Sequence, residues 1–137
     1  MNKKKVIKIS AVIFVVAIAC VWAAITIKSE SFTDGVMTVR GKTCEINTSN
    51  ICDAKGFRGK TPLVVIIKNG VITKVTALPN GETPSYFDQV AKKMLKDFSG
   101  RKVTDIDDVD GITDATFSSK AVKQNVQAAC EYYEGHK

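Results

Sequence analysis

The stretch Leu63-Val64-Val65-Ile66-Ile67-Lys68-Asn69-Gly70-Val71-Ile72-Thr73-Lys74-Val75-Thr76-Ala77 decides the fold. Its first five residues are apolar and mostly β-branched. Such a run predicts a strand buried on both faces. Asn69-Gly70 is the strongest hairpin signal in the chain, because both residues tolerate the positive φ that a type I′ turn needs. Beyond it, Val71, Thr73, Val75 and Ala77 alternate with Ile72, Lys74 and Thr76, the pattern of a return strand. Pro79-Asn80-Gly81 ends that strand.

A lone hairpin is marginal in water, so its apolar side needs a cover. Tyr86, Phe87, Val90, Ala91, Met94, Leu95 and Phe98 recur at the helical period and predict an amphipathic helix. Ser85 is its candidate N-cap, with Thr83 before Pro84 as the rival, and Ser99-Gly100 its end. Residues 101–111 form a polar connection rich in Asp. A second helix begins near Ser118 or Ser119 and carries Ala121, Val122, Val126, Ala129 and Tyr133 on one face. Upstream, Asp34-Gly35 leads into a short strand over Val36, Met37, Thr38 and Val39, and residues 41–60 read as loop-rich. The expected class is α+β: a small antiparallel, hairpin-based sheet packed against two helices, preceded by one N-terminal transmembrane helix.

Residues 9–27 are 19 positions without a charge. As a helix they span about 28 Å, the thickness of the hydrocarbon core. Lys3, Lys4, Lys5 and Lys8 precede them, so the positive-inside rule leaves the N-terminus in the cytoplasm and exports the rest. We read an uncleaved signal anchor, because the run is longer than a signal-peptide core. The alternatives are cleavage after Ala17-Ile18-Ala19 and lipidation at Cys20. The expected organisation is a basic tail (1–8), a single-pass anchor (9–27), a tether (28–33) and an extracytoplasmic domain (34–137), periplasmic or at the cell surface. The chain has 137 residues, 45% of them hydrophobic, which suits one soluble domain with a core. Its net charge is +6; without the four leading lysines, 16 basic residues face 14 acidic ones. The basic balance is a topology signal and gives no support to a nucleic-acid partner.

Cys44, Cys52 and Cys130 lie in the exported part and allow at most one disulfide among themselves; spacing does not choose the pair. No C-x-x-C is present, and the single histidine, His136, excludes a multi-histidine metal site. Asp105, Asp107, Asp108 and Asp110 do not fit a calcium loop, since Val109 and Thr116 fall on ligand positions. We expect no metal. Gly56-x-x-Gly59 is too short for a nucleotide loop, and Asn47-Thr48-Ser49 is a formal glycosylation sequon.

The chemistry concentrates in Asp110-Gly111-Ile112-Thr113-Asp114-Ala115-Thr116-Phe117-Ser118-Ser119-Lys120. Small and hydroxyl residues crowd before a helix, where free N–H groups favour a phosphate. Ordinary capping by Ser118 or Ser119 is the competing explanation. Asp110, Gly111, Thr113, Ala115 and Thr116 resemble the flavinylation motif of FMN-binding domains. These include the C subunit of the sodium-pumping NADH:quinone reductase and the G subunit of the Rnf complex. Gly81-Glu82-Thr83-Pro84-Ser85-Tyr86-Phe87 is similar to the Glu-Thr-Pro segment that precedes that motif in the family. The likeness covers residues 56–133 and preserves the order of elements. Asp114 departs from the pattern, standing where the family carries Gly or Ser and setting a carboxylate beside a phosphate.

The resemblance implies a covalent flavoprotein. FMN would be esterified through its phosphate to Thr116, formally making the chain a phosphoprotein. A separate flavin transferase using FAD and a divalent metal would make the bond and recognise Asp110 and Gly111. Glu82 and Thr83 would hydrogen-bond the flavin, with Thr113, Ala115 and Ser118 completing its site. No catalytic residue is implied. The expected role is electron transport between membrane or extracytoplasmic redox proteins, without a substrate of its own. The alternative is a membrane-anchored module of the same fold that holds FMN non-covalently or binds a protein partner.

Overall fold

The computed structural model describes residues 31–137. The expected transmembrane segment at 9–27 lies outside them. Among the described residues no helix is long and apolar enough to cross a membrane.

The hairpin forms as expected. Strand β4 (Leu63–Lys68) turns through Asn69 and Gly70, at φ 52° and 76°, into β5 (Val71–Ala77). Two details differ from the expectation. Leu63, Val65 and Ile67 are buried, but Val64 and Ile66 are only half-buried, so β4 has one core face rather than two. A sheet in one layer leaves its other face to solvent. Strict alternation also fails on β5, where Ile72 and Val75 are the buried residues. Ile67 pairs with Ile72 while Ile66 pairs with Lys74, so Thr73 is an extra residue in a bulge. The Thr73 hydroxyl donates to the Ile66 carbonyl (3.1 Å).

Three further strands extend the sheet: β1 (Ser31–Thr33), β2 (Met37–Arg40) and β3 (Thr43–Asn47). All five run antiparallel in sequence order. Strand β1 takes the last three residues of the expected tether, and β3 lies in the stretch read as loop. Only Ile46 is fully buried in β3, too little to make a periodic signal. Its register nonetheless sets Met37, Ile46, Val65 and Val75 in one row across the core face.

Two helices cover that face. Helix α1 (Pro84–Phe98) starts from Thr83 with Pro84 in its first turn, so the Thr-Pro reading holds over Ser85. It buries Phe87, Val90, Met94, Leu95 and Phe98, and ends before Gly100 at φ 87°. Helix α2 (Thr116–His136) begins two residues before the expected Ser118, after a 3₁₀ turn at Thr113–Ala115. Between them, Val103, Ile106 and Val109 are buried while Asp105, Asp107, Asp108 and Asp110 face solvent. The acidic connection is therefore pinned by three apolar residues at intervals of three. Asn125 of α2 anchors the β3–β4 excursion. It accepts from the Thr48 hydroxyl (2.6 Å) and donates to the Ala121 carbonyl (2.9 Å) and Thr61 (3.4 Å).

The three cysteines in the described residues are free: Cys44 and Cys52 half-buried, Cys130 buried. Burial, with the nearby charges of Glu134 and Glu131, pushes the Cys130 thiol up to about 12, which leaves it inert as a nucleophile.

Candidate functional site

The N-terminal ends of α1 and α2 lie side by side. With the loop around Phe57 they enclose a cleft of about 340 Å³. Thr83 and Tyr86 come from the start of α1. Thr113, Asp114 and Ala115 come from the 3₁₀ turn, and Thr116, Phe117 and Ser118 from the first turn of α2. The sequence motifs around 82–86 and 113–118, nearly thirty residues apart, thus meet at one place.

Glu82 organises the cleft. The residue is 7% exposed and borders the cavity. Oε1 accepts from the backbone N–H of Arg58 (2.8 Å) and Gly59 (3.0 Å). Oε2 accepts from the N–H of Phe57 (3.1 Å) and the Ser118 hydroxyl (2.5 Å). Burial alone would raise its pKa. The bonds from Ser118, Arg58, Gly59 and Phe57 outweigh that and hold it below the ordinary glutamate value. Four donors fill the acceptor sites of a carboxylate. Glu82 therefore has no lone pair free for the flavin, and Ser118, 2% exposed, spends its proton on Glu82. Both residues line the cleft and bond each other within the protein.

Gly56 explains why the loop can close on this anion. A Cβ there would stand 2.7 Å from the Glu82 carboxyl carbon. Gly56-x-x-Gly59 is an anion loop after all, but the anion is a side chain of the same protein.

Thr116 is exposed at the start of α2, and its hydroxyl donates to the Thr113 carbonyl (3.1 Å). Ala115, the residue before the helix, provides no side-chain cap, so the first N–H groups of α2 are not capped by it. Thr113 and Thr116 also border a second depression with Gly111, Ser119, Lys120 and Lys123. The Lys123 ammonium donates to the Asp107 carbonyl. Ser119 is 3% exposed and accepts from the Ile112 N–H (2.9 Å), fixing the turn, while a Cβ on Gly111 would approach Ser119 Cβ to 3.1 Å. Asp110 is exposed beside this turn and does not line the cleft.

Three aromatic walls escaped sequence reasoning as site residues. Phe57, Tyr86 and Phe117 are 71%, 50% and 65% exposed, although each is large and apolar. The rings of Phe57 and Phe117 lie 6.3 Å apart. Tyr86 shares the helical period of the core residues but sits at the edge of their arc. The available signal was Phe117: it directly follows Thr116 and has no core face to join. Among the described residues no cluster of three or more acidic, Cys or His side chains could hold a metal ion.

An aromatic cleft beside a helix start rich in hydroxyl and N–H groups defines a domain for a planar, phosphorylated cofactor. Residues 56–131, more than half of the chain, match the family model of the FMN-binding domain. The chain belongs to the FMN-binding domain family, and its cofactor is FMN. The residues present fit that group, with aromatic faces for the ring and N–H, hydroxyl and ammonium groups for the phosphate. No curated protein and no solved structure matches the chain.

Proposed function

We propose that the protein is a membrane-anchored, extracytoplasmic electron carrier whose FMN is joined by a phosphoester bond to Thr116. The observation that carries this reading is the exposed Thr116 hydroxyl at the start of α2, on a cleft walled by Phe57, Tyr86 and Phe117. FMN supplies one- and two-electron transfer, and the protein supplies binding, orientation and field. In attachment, the Thr116 oxygen bonds to the phosphorus of the flavin phosphate of FAD, AMP leaves, and the hydroxyl proton is released. A flavin transferase performs that step, with Asp110 and Gly111, exposed beside the turn, as its recognition residues. Thr83, Thr113 and Ala115 border the bound cofactor. The apolar run at 9–27 and the lysines before it support the anchor and the exported side. Electrons pass between a membrane donor and another extracytoplasmic redox protein, and no separate substrate is required.

The full chain, expressed with a flavin transferase and taken from membranes, tests this reading. A denaturing gel under ultraviolet light should show a fluorescent band, at an intact mass increased by one esterified FMN. Thr116→Ala should abolish both signals, and Asp114→Gly should keep or raise the loading. Covalent flavin at the wild-type level in Thr116→Ala overturns the site. Asp114 on the cleft wall favours one second reading, FMN held without a bond, because its carboxylate repels a phosphate. A dark band with flavin released on denaturation would establish it.

A further inference from the structure

We propose that Glu82 sets the reduction potential of the bound flavin, as a fixed negative charge in the wall of the cleft that forms no ion pair among the described residues. The inference rests on the FMN reading above. The Glu82 carboxylate borders the cleft, and all four groups bonded to it are dipoles: three backbone N–H groups and one hydroxyl. The ion pairs among the described residues are Lys60 with Asp53 and Lys137 with Glu134; neither involves Glu82. Dipoles keep a carboxylate ionised without cancelling its charge. With its acceptor sites filled, the group acts through its field and not through a bond to the ring.

Position strengthens the case. Glu82 bonds the N–H of Phe57, whose ring is a wall of the cleft, and it precedes Thr83 and Tyr86 on the same rim. When an oxidised flavin takes two electrons and one proton from a reduced donor and water, the ring gains one negative charge. A fixed anion in the wall opposes that gain, and burial of Glu82 limits the screening of its charge by water. Glu82 therefore holds the potential low, which suits a carrier that must pass electrons onward. Its hydrogen bonds also favour the ionised form, which can accept from the three loop N–H groups and Ser118 together.

The test is potentiometric titration of the flavin-loaded full chain at mildly alkaline pH. Glu82→Gln should shift the two-electron equilibrium toward the reduced form by at least tenfold, ~30 mV positive. Glu82→Asp, which keeps the charge, should stay within that step of wild type. An unchanged or lower potential in Glu82→Gln overturns the proposal. If that variant does not fold, Ser118→Ala decides instead: it removes one dipole and leaves the charge, so the potential should fall, and a rise or no change overturns. In the flavin-free chain, carbon NMR should show Glu82 titrating below the ordinary glutamate range; an ordinary or raised value also overturns it. A wild-type chain that carries no flavin sinks the FMN reading itself. A loaded chain with an unshifted Glu82→Gln sinks only this inference.

Discussion

At the scale of single residues, the site depends on an enclosed charge. Glu82 is buried, ionised and bonded to groups 23 to 36 residues away in sequence. Gly56 is the residue that permits this. In Gly56→Ala the new Cβ would stand 2.7 Å from a carboxyl group that four bonds hold in place. Neither partner can shift cheaply, so urea unfolding should show a loss of about 1–3 kcal/mol, the range for overpacking. A variant with wild-type stability would mean that the loop does not close on Glu82. Thr116 and Asp114 were readable from the motif. The double occupancy of both Glu82 oxygens was not, because backbone N–H groups carry no sequence signature.

At the scale of elements, α2 joins the site to the core. Its first turn borders the cleft, and Asn125, about two turns further on, ties it to the β3–β4 excursion through Thr48 and Thr61. The Thr48 oxygen also accepts the Leu63 N–H (2.8 Å), so the network reaches the first residue of β4. Asn125→Ala leaves the Thr48 hydroxyl without an acceptor in a dry interior. That should cost about 1–3 kcal/mol in denaturant unfolding, and more if Thr61 is stranded too. The hairpin and α1 were legible because their apolar residues keep a period. Strand β3 and the bulge at Thr73 were not. In β3 a single Ile46 is fully buried, and in β5 the extra residue breaks the alternation that strand recognition relies on. The bulge is stabilised from outside the hairpin: the Ser99 hydroxyl bonds the Thr73 carbonyl (2.8 Å), and Gly100 N–H the Ile72 carbonyl (2.7 Å).

At the scale of the whole molecule, the first hairpin is fastened to the last helix. The Tyr132 hydroxyl donates to Asp34 Oδ2 (2.6 Å), across 98 residues of sequence. That bond, with those from Met37 and Val36, lowers the Asp34 pKa from 3.8 to about 2. The same contact raises the Tyr132 pKa above 10.0. A lowered carboxyl pKa contributes stability that is present above 3.8 and lost as pH falls toward about 2. A raised tyrosine pKa contributes stability that is present below 10.0 and lost as pH rises through the folded value. Tyr132→Phe should therefore destabilise the protein at neutral pH, and the difference from wild type should shrink below pH 3.8. A difference that stays constant down to about pH 2 would show that Tyr132 contributes packing alone.

Local order fixed much of this protein. The apolar hairpin, the Asn-Gly turn, the two amphipathic helices and the two motifs that carry the FMN resemblance are all properties of neighbouring residues, and short-range periodicity expresses them. The tertiary structure alone decided what the motif residues do. Ser118 and Glu82 read as ligands of the flavin, yet they bond each other, because folding brings a helix start against a buried carboxylate. Tyr86 read as part of a helix's apolar face, Phe117 as one residue of the motif stretch and Phe57 as part of a basic loop, yet the three wall one cleft. The physical reason is that a site is made by proximity in space, and these groups come from three segments whose approach is set by the register of the sheet and the packing of α1 and α2 upon it.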